Sequence, residues 1–271
     1  MKTFAITMFF SLFTCTLVAQ DIQPVPTAKG EKKQAKREKI NQMIRLEEEG
    51  ESGFHKQSIF GIRFNNDGYG LLYEIGKIKS AYKTTIYQIE FNEKKHKKEE
   101  RQSRSDGAVV FGSPFIYGKQ NNFYQLKLGI GQQYMIGGKG NKNGVGVYAI
   151  YAGGLSLGLL KPYYIDVESP PNSGVIKQIR YSKKDSSEFM GQNILGSSGF
   201  TKGWGELKFA PGIHAKMALR FDWGRFNNTI SAVEAGFNFE YYPQQIEQMV
   251  GVEPRHFFEN GFIAILFGSR K

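Results

Sequence analysis

The sequence contains one cysteine, few histidines and only one long apolar run. A single cysteine, Cys15, excludes an intrachain disulfide. The apolar run covers residues 4–18, which is shorter than the ~20 residues that a membrane-spanning helix needs, and Thr and Ser interrupt it. We therefore expect no retained transmembrane helix. We also predict no metal site and no cofactor, because no metal-ligand spacing relates the four histidines, His55, His96, His214 and His256.

The first twenty residues have the composition of a secretory signal peptide, with one basic residue, an apolar centre and a small-plus-polar end. We predict that residues 1–20 are removed on export, with cleavage near Ala19 or Gln20. The exported chain would then contain no cysteine. A lipoprotein signal lipidated at Cys15 is the alternative, but the bulky Phe13 two residues before this cysteine fits that processing poorly.

The rest of the chain is basic, and the full sequence has a formal net charge of +11. About 250 residues remain after the signal peptide, which is enough for one large β domain. An exported basic protein meets anionic lipid head groups or lipopolysaccharide rather than nucleic acid. The predicted partners are therefore outer-membrane lipid and lipopolysaccharide, and no nucleic acid.

Residues 21–52 form a charged segment that we place in the periplasm. Helix formers dominate residues 29–49, after a leader that contains Pro24 and Pro26. The basic half of this predicted helix comes first and its acidic half last, which is the reverse of the order that the helix dipole favours. Such a helix is marginal alone and gains order against a partner, whereas a solvated leader is the alternative interpretation.

From residue 53 onward the sequence alternates between apolar and polar or glycine residues, as β-strands with two different faces do. In residues 207–223 every odd position is apolar, while the even positions include Lys208, His214, Lys216 and Asp222. Two further short runs could also be strands, which would raise the count to ten; they cover residues 108–117 and 176–181. The eight clear strands cover about 55–65, 69–79, 82–94, 123–136, 145–160, 207–223, 231–241 and 257–269.

The links between these strands favour a barrel in a membrane. Those expected on the periplasmic side are short, and those expected outside are long, up to residues 161–205, except for the tight turn at residues 66–68. We therefore predict an all-β fold in residues 53–271, an antiparallel up-and-down transmembrane β-barrel in the outer membrane with its apolar face toward lipid. The alternative is a soluble exported β-sandwich binding protein, in which the apolar faces would pack on each other.

The signal peptide together with residues 54–271 resembles a small outer-membrane β-barrel protein of a diderm (Gram-negative) bacterium. The resemblance covers about four fifths of the chain and is one of pattern. Residues 267–271, Phe-Gly-Ser-Arg-Lys, depart from the terminal aromatic residue that many such proteins use for assembly. A charged helix ahead of a barrel resembles subunits that dock to partners in assembly or secretion machines, which implies contacts with other cell-envelope proteins.

The predicted inward faces carry charges of both signs. Because an eight-stranded barrel is just wide enough to be filled by its own side chains, we predict paired ions that plug the lumen. His214 with Glu234 or Glu240 could instead serve a lipid-modifying or proteolytic barrel enzyme, but no nucleophile accompanies them, so we predict no catalytic residue. The predicted lumen network comprises Arg63, Glu74, Glu90, Lys127, His214, Lys216, Arg220, Asp222, Glu234 and Glu240.

A basic run follows the third predicted strand, in a link that we place outside the membrane. Its side chains could contact lipopolysaccharide phosphates, although nearby acidic residues make a solvated loop the alternative. We predict a non-enzymatic structural or accessory subunit of an outer-membrane assembly, protein-insertion or secretion complex, with partners bound by the N-terminal helix and external loops. The predicted lipopolysaccharide contacts are Lys94, Lys95, Lys97, Lys98 and Arg101.

Overall fold

The structure, a computed structural model, describes residues 34–35, 37–38, 41–42, 53–106, 109–139, 144–171, 173–224 and 228–271. The predicted signal peptide lies outside these residues. The predicted N-terminal helix is also outside them, apart from six residues between 34 and 42, which are helical. Both remain predictions. No helix among the described residues is long and apolar enough to cross a membrane.

Thirteen strands are present in the described part of the chain, together with the helical residues between 34 and 42, a helical turn, α1 (Ser186–Phe189), and a 3-10 turn, Trp204–Glu206. Eight of the strands, β1, β2, β3, β6, β7, β11, β12 and β13, close into one antiparallel barrel in which β1 pairs with β13. The thirteen strands are β1 (Lys56–Asn65), β2 (Gly68–Ile78), β3 (Lys83–Lys94), β4 (Arg101–Asp106), β5 (Val109–Ile116), β6 (Asn121–Gly137), β7 (Gly146–Pro162), β8 (Tyr164–Glu168), β9 (Ile176–Arg180), β10 (Ile194–Ser197), β11 (Lys208–Asp222), β12 (Thr229–Ile246) and β13 (Arg255–Arg270).

The closed barrel confirms the predicted all-β, eight-stranded, up-and-down fold. Its strands are 10 to 18 residues long, and about 9–11 residues suffice for a tilted strand to cross a bilayer. Alternation places apolar side chains outside, so that Ile130 is 61% exposed and Leu155 67% exposed. The β-sandwich alternative is wrong, because the sheet closes on itself and its apolar face does not pack on a second sheet.

We call the two ends of the barrel the loop end and the turn end. The loop end holds the links β1–β2, β3–β6, β7–β11 and β12–β13, and the turn end holds the remaining links and both termini of the barrel. Lumen residues at the loop end include Tyr242 and Phe258, which pack on Phe123 with ring centroids 5.6 and 5.5 Å away. The parity of Tyr242 in β12 and of Phe258 in β13 turns both side chains inward, away from the lipid interface.

The loop end carries two small sheets of its own. A hairpin of β4 and β5 lies in one link, and the sheet β10-β8-β9 lies in another. A separate apolar core holds this region together, formed by Phe115, Ile165, Val167, Ile179, Phe189 and Ile194. The ten-stranded alternative is wrong, because residues 108–117 and 176–181 supply β5 and β9 to these sheets and not to the barrel.

Pro211 lies within β11, although proline cannot donate a hydrogen bond to a strand neighbour. The register of β11 with β7 continues without a shift through Pro211 and Gly212, so this pairing has no bulge there. Pairing of β11 with β12 begins only at Ile213. Pro211 therefore occupies a stretch of β11 that β12 does not cover.

Candidate functional site

Arg220 lies at the centre of a buried ionic cluster in the lumen. Its Nη2 atom is 2.7 Å from Oε2 of Glu74 and 2.7 Å from Oε2 of Glu234. Its Nη1 atom donates to Oε1 of Glu74 at 2.9 Å and to Oε1 of Gln133 at 3.0 Å. Glu74 and Glu234 come from β2 and β12, on different sides of the barrel, so Arg220 links strands that are not adjacent.

Three further side chains complete what we call the Arg220 cluster. Lys216 precedes Arg220 by four residues on the same inward face of β11, and it donates to Oε1 of Glu234 at 3.0 Å. Arg63 donates to Oε2 of Glu90 at 2.6 Å, and its guanidinium lies 4.1 Å from the ring centroid of Phe262. The cluster thus contains Arg63, Glu74, Glu90, Lys216, Arg220 and Glu234, all of them buried.

A second ionic group, the Glu240 cluster, lies nearer the loop end. Glu240 accepts hydrogen bonds from Lys127 and, at 2.6 Å, from Gln125. Nζ of Lys94 is 3.1 Å from Oε2 of Glu240 and 2.8 Å from Oδ2 of Asp67. These contacts join β3, β6 and β12 across the lumen and tie them to the β1–β2 turn.

Asp222 forms a third group at the turn end. Its Oδ2 atom accepts from Arg270 at 2.7 Å and lies 3.5 Å from Nζ of Lys139. Its Oδ1 atom accepts from the backbone N–H of Gly224 at 2.8 Å. Asp222 therefore belongs to an ionic group different from those of the other predicted lumen residues.

These ion pairs lie within the lumen and connect strands across it. Desolvating an unpaired charge is costly, so each buried carboxylate here is matched by at least one buried cation. Apolar clusters lie on either side of the ions, one at the loop end around Phe123 and two toward the turn end around Ile59 and Ile86. The interior is thus packed, as expected for eight strands.

His214 of β11 lies directly opposite Glu240 of β12 in the strand register, but no hydrogen bond joins its ring to Glu240 or to Glu234. Both carboxylates are held by cations, and neither ring nitrogen of His214 has a hydrogen-bond partner among the described residues. His214 is 6% exposed and faces Gly129, where an added Cβ would lie 3.1 Å from Nε2. The described residues also contain no group of three His, Cys, Asp or Glu side chains that could hold a metal ion.

The predicted external contacts divide between two environments. Lys94 lies inside the barrel, because the even positions of β3 point inward, so it is not at the lipid surface. The others, Lys95, Lys97, Lys98 and Arg101, are exposed at the loop end. Parity along β3 was the signal that could have identified Lys94. The same parity places neutral polar side chains in the lumen beside the predicted charges, namely Gln57, Gln88, Gln125, Gln133, Asn238 and Asn260.

No protein-family model and no curated protein matches the chain. Solved structures do match it. Neisserial surface protein A (NspA) is 10% identical, and the match has a TM-score of 0.37 and covers 81% of this chain and 98% of the NspA chain. The N-terminal β-barrel domain of Pseudomonas aeruginosa OprF is 10% identical, with coverages of 81% and 98% and a TM-score of 0.35. Ail, the attachment invasion locus protein of Yersinia pestis, is 8% identical, with coverages of 80% and 98% and a TM-score of 0.33.

The barrel assignment itself follows from this chain's own strand pairing. A closed antiparallel barrel with an apolar exterior and a charged interior is the arrangement of a transmembrane β-barrel, which in Gram-negative bacteria belongs to the outer membrane. The chain is thus a small outer-membrane-type barrel, in agreement with the class and the location predicted from the sequence. Its outer face contacts lipid.

Proposed function

We propose that the chain is a non-enzymatic integral outer-membrane protein with a sealed lumen, which acts through its loop end as a structural or accessory subunit. The single observation that carries this proposal is the ionic packing of the lumen. The Arg220 and Glu240 clusters connect strands across the barrel with buried, paired charges. Opening a pore would separate these ions and leave them without partners, at a cost of several kcal/mol for each, about 3–5.

Surface features support a role in partner binding. The region around β8, β9 and β10 has its own apolar core and is therefore a folded surface rather than a simple connection. The predicted N-terminal helix would add a second contact on the periplasmic side. Hydrogen bonding does not support a catalytic role for His214, because neither candidate carboxylate is bonded to its ring and both bind cations instead.

Conductance measurements test the sealed lumen. The full chain is refolded into planar lipid bilayers beside a porin of known conductance. We expect stable insertion, resistance to urea extraction and no conductance steps from this protein. Regular conductance steps from the heat-modifiable, folded form would contradict a sealed lumen.

Co-purification tests the role as a subunit. The tagged protein is crosslinked in intact cells, extracted in a mild detergent and analysed for bound proteins. A second strain lacks residues 164–197, and a third lacks residues 21–52. We expect a reproducible envelope partner that is lost from at least one deletion strain while the barrel remains heat-modifiable. Recovery of an uncrosslinked monomer from all three strains would contradict a subunit role.

A further inference from the structure

A groove of about 560 Å³ lies at the loop end of the barrel, where outward-facing side chains of β12 and β13 and the inward-facing Lys94, Phe258 and Asn260 all line it. We call it the rim groove. Its floor includes Phe237, Phe239 and Phe257, which point outward from β12 and β13 and are 64%, 37% and 52% exposed. Its upper edge includes Lys95 and Lys97, from the segment that follows β3. A lipid-facing aromatic surface and a basic edge therefore meet in one concave site.

Arg255 brings a third cation to the rim groove from the start of β13, 158 residues after Lys97. Neither Arg255 nor Lys97 takes part in any ion pair or side-chain hydrogen bond described for this part of the chain, and both are exposed. Lys95 lies 5.2 Å from the ring centroid of Tyr69. Long cationic side chains at this edge are thus available to an anionic ligand.

Two acidic side chains line the rim groove, but they do not balance its cations. Asp67 is bound by Lys94, whose amine lies 2.8 Å from Oδ2 of Asp67. Glu259 is exposed and remains as one carboxylate against three cations, Lys95, Lys97 and Arg255. The groove therefore has an excess of positive charge beside an apolar wall.

The pKa of His96 responds both to burial and to the charges around this edge. Its pKa is lowered from the ordinary value, first by burial and then by the positive charge of Arg255, with Lys97 and Lys98 acting in the same direction. Glu99 acts in the opposite direction but does not reverse the shift. Burial and, after it, the neighbouring cations therefore hold His96 toward its neutral form.

We propose that the rim groove binds one phosphorylated lipid of the outer leaflet, with a phosphate on Lys95, Lys97 and Arg255 and an acyl chain along Phe237 and Phe257. Arginine binds phosphate with two parallel N–H groups, and lysine acts as a point charge. A small soluble anion would leave the aromatic floor unused, whereas a phosphorylated glycolipid such as lipopolysaccharide occupies both parts. This proposal rests on the proposed insertion into the outer membrane with the loop end outside.

The rim groove separates the exposed basic residues into those that line it and those that do not. Arg101 lines a different concave surface, which also includes Lys95, Lys119, Lys161 and Lys202 together with the carboxylates Glu93 and Glu99, but Arg101 does not line the rim groove. Lys98 is exposed but belongs to neither lining. Lys98 and Arg101 therefore serve as matched basic controls, close to Lys95 and Lys97 in the sequence.

The test uses the full chain, delipidated in detergent and titrated with diphosphorylated lipid A, with bound lipid counted by native mass spectrometry. The variant K95Q/K97Q/R255Q should bind about tenfold more weakly or worse, since each charge-assisted contact to phosphate is lost. F237A should also weaken binding. The control K98Q/R101Q should match the wild type, and lipid A without phosphates should bind far less to every protein.

Folding of every variant is checked by heat-modifiable gel mobility and by resistance of the inserted protein to urea extraction. Equal lipid A affinity of the triple variant and the wild type would overturn the proposed site. The same conclusion would follow if K98Q/R101Q lost as much affinity as the triple variant, or if lipid A without phosphates bound as tightly as the diphosphorylated form. Failure of the wild-type protein to insert into membranes is a different result, which would count against the proposed function.

Discussion

At the scale of single residues, Arg220 has an unusual position because it satisfies two carboxylates from opposite parts of the barrel. Glu74 and Glu234 are both fully buried, and each has an oxygen 2.7 Å from Nη2 of Arg220. Replacing a whole buried ion group with apolar residues is often tolerated, whereas removing one partner leaves uncompensated charge. The arginine is thus the member whose loss affects most contacts.

Arg220→Met should lower the free energy of unfolding by about 3–5 kcal/mol, because two buried carboxylates lose their shared cation. The measurement is urea unfolding of the refolded protein in detergent micelles, followed by gel mobility and tryptophan fluorescence. Arg180→Gln is the control, since Arg180 pairs with Glu206 at an exposed site in the loop-end region. Equal unfolding midpoints for Arg220→Met and the wild type would contradict the structural role of Arg220.

Gly154 illustrates a second constraint at the same scale, the close approach of neighbouring strands. An added Cβ at Gly154 would clash with the backbone carbonyl oxygen of Leu128 on β6. Gly154→Ala should therefore cost about 1–3 kcal/mol of stability, as overpacking does. At Gly137 an added Cβ would meet nothing nearer than Val147, at 3.8 Å. Gly137→Ala should stay close to the wild type in the same unfolding assay, and a similar loss in both variants would refute the steric explanation.

The sequence could predict which side chains enter the lumen but not which of them pair. Alternation along β11 places Lys216 and Arg220 on the inward face, and the same parity applies to Lys94 at the end of β3. Pairing depends on register and on the diameter of the closed barrel, which no single strand encodes. This is why the separation of Asp222 from the Arg220 cluster becomes evident only in the structure.

At the scale of elements, the barrel strands and the loop-end strands differ in how clearly the sequence identifies them. The barrel strands alternate over ten or more residues, whereas β9 has five residues and β10 has four. Short runs give too few repeats to separate a strand from an irregular loop. Their sheet is defined by contacts between distant segments, such as the pairing of Ile194 with Val167.

Phe189→Ala should loosen the loop-end region without unfolding the barrel. Phe189 is 1% exposed and packs in the separate core with Ile165 and Ile179, so its truncation removes about 3–5 kcal/mol of local packing. Limited proteolysis of the inserted protein should give faster cleavage within residues 163–207, with barrel fragments still protected. Ile176→Ala is the control, because Ile176 is 62% exposed. Unchanged cleavage would contradict the role of Phe189 in holding the loop-end region together. Loss of the heat-modifiable form would show that the barrel depends on this region.

At the scale of the whole molecule, orientation follows from strand parity. An even number of strands returns the chain to the side on which the barrel begins, so the turn end holds both barrel termini. If the N-terminal segment remains in the periplasm, the turn end is periplasmic and the loop end is external. The length asymmetry of the links agrees with this orientation, since barrels of this class have short periplasmic turns and longer external loops.

Cysteine labelling in intact cells tests this orientation, and the chain suits it because its one cysteine, Cys15, lies in the predicted signal peptide. Lys184 is exposed in the loop-end region and Lys79 is exposed at the β2–β3 turn. A maleimide that cannot cross the outer membrane should label Lys184→Cys on whole cells. Lys79→Cys should be labelled only after the outer membrane is permeabilised, and the wild-type protein should stay unlabelled throughout. The reverse pattern would place the loop end in the periplasm. The rim groove would then lie at the inner leaflet of the outer membrane, which would contradict the proposed binding of an outer-leaflet lipid.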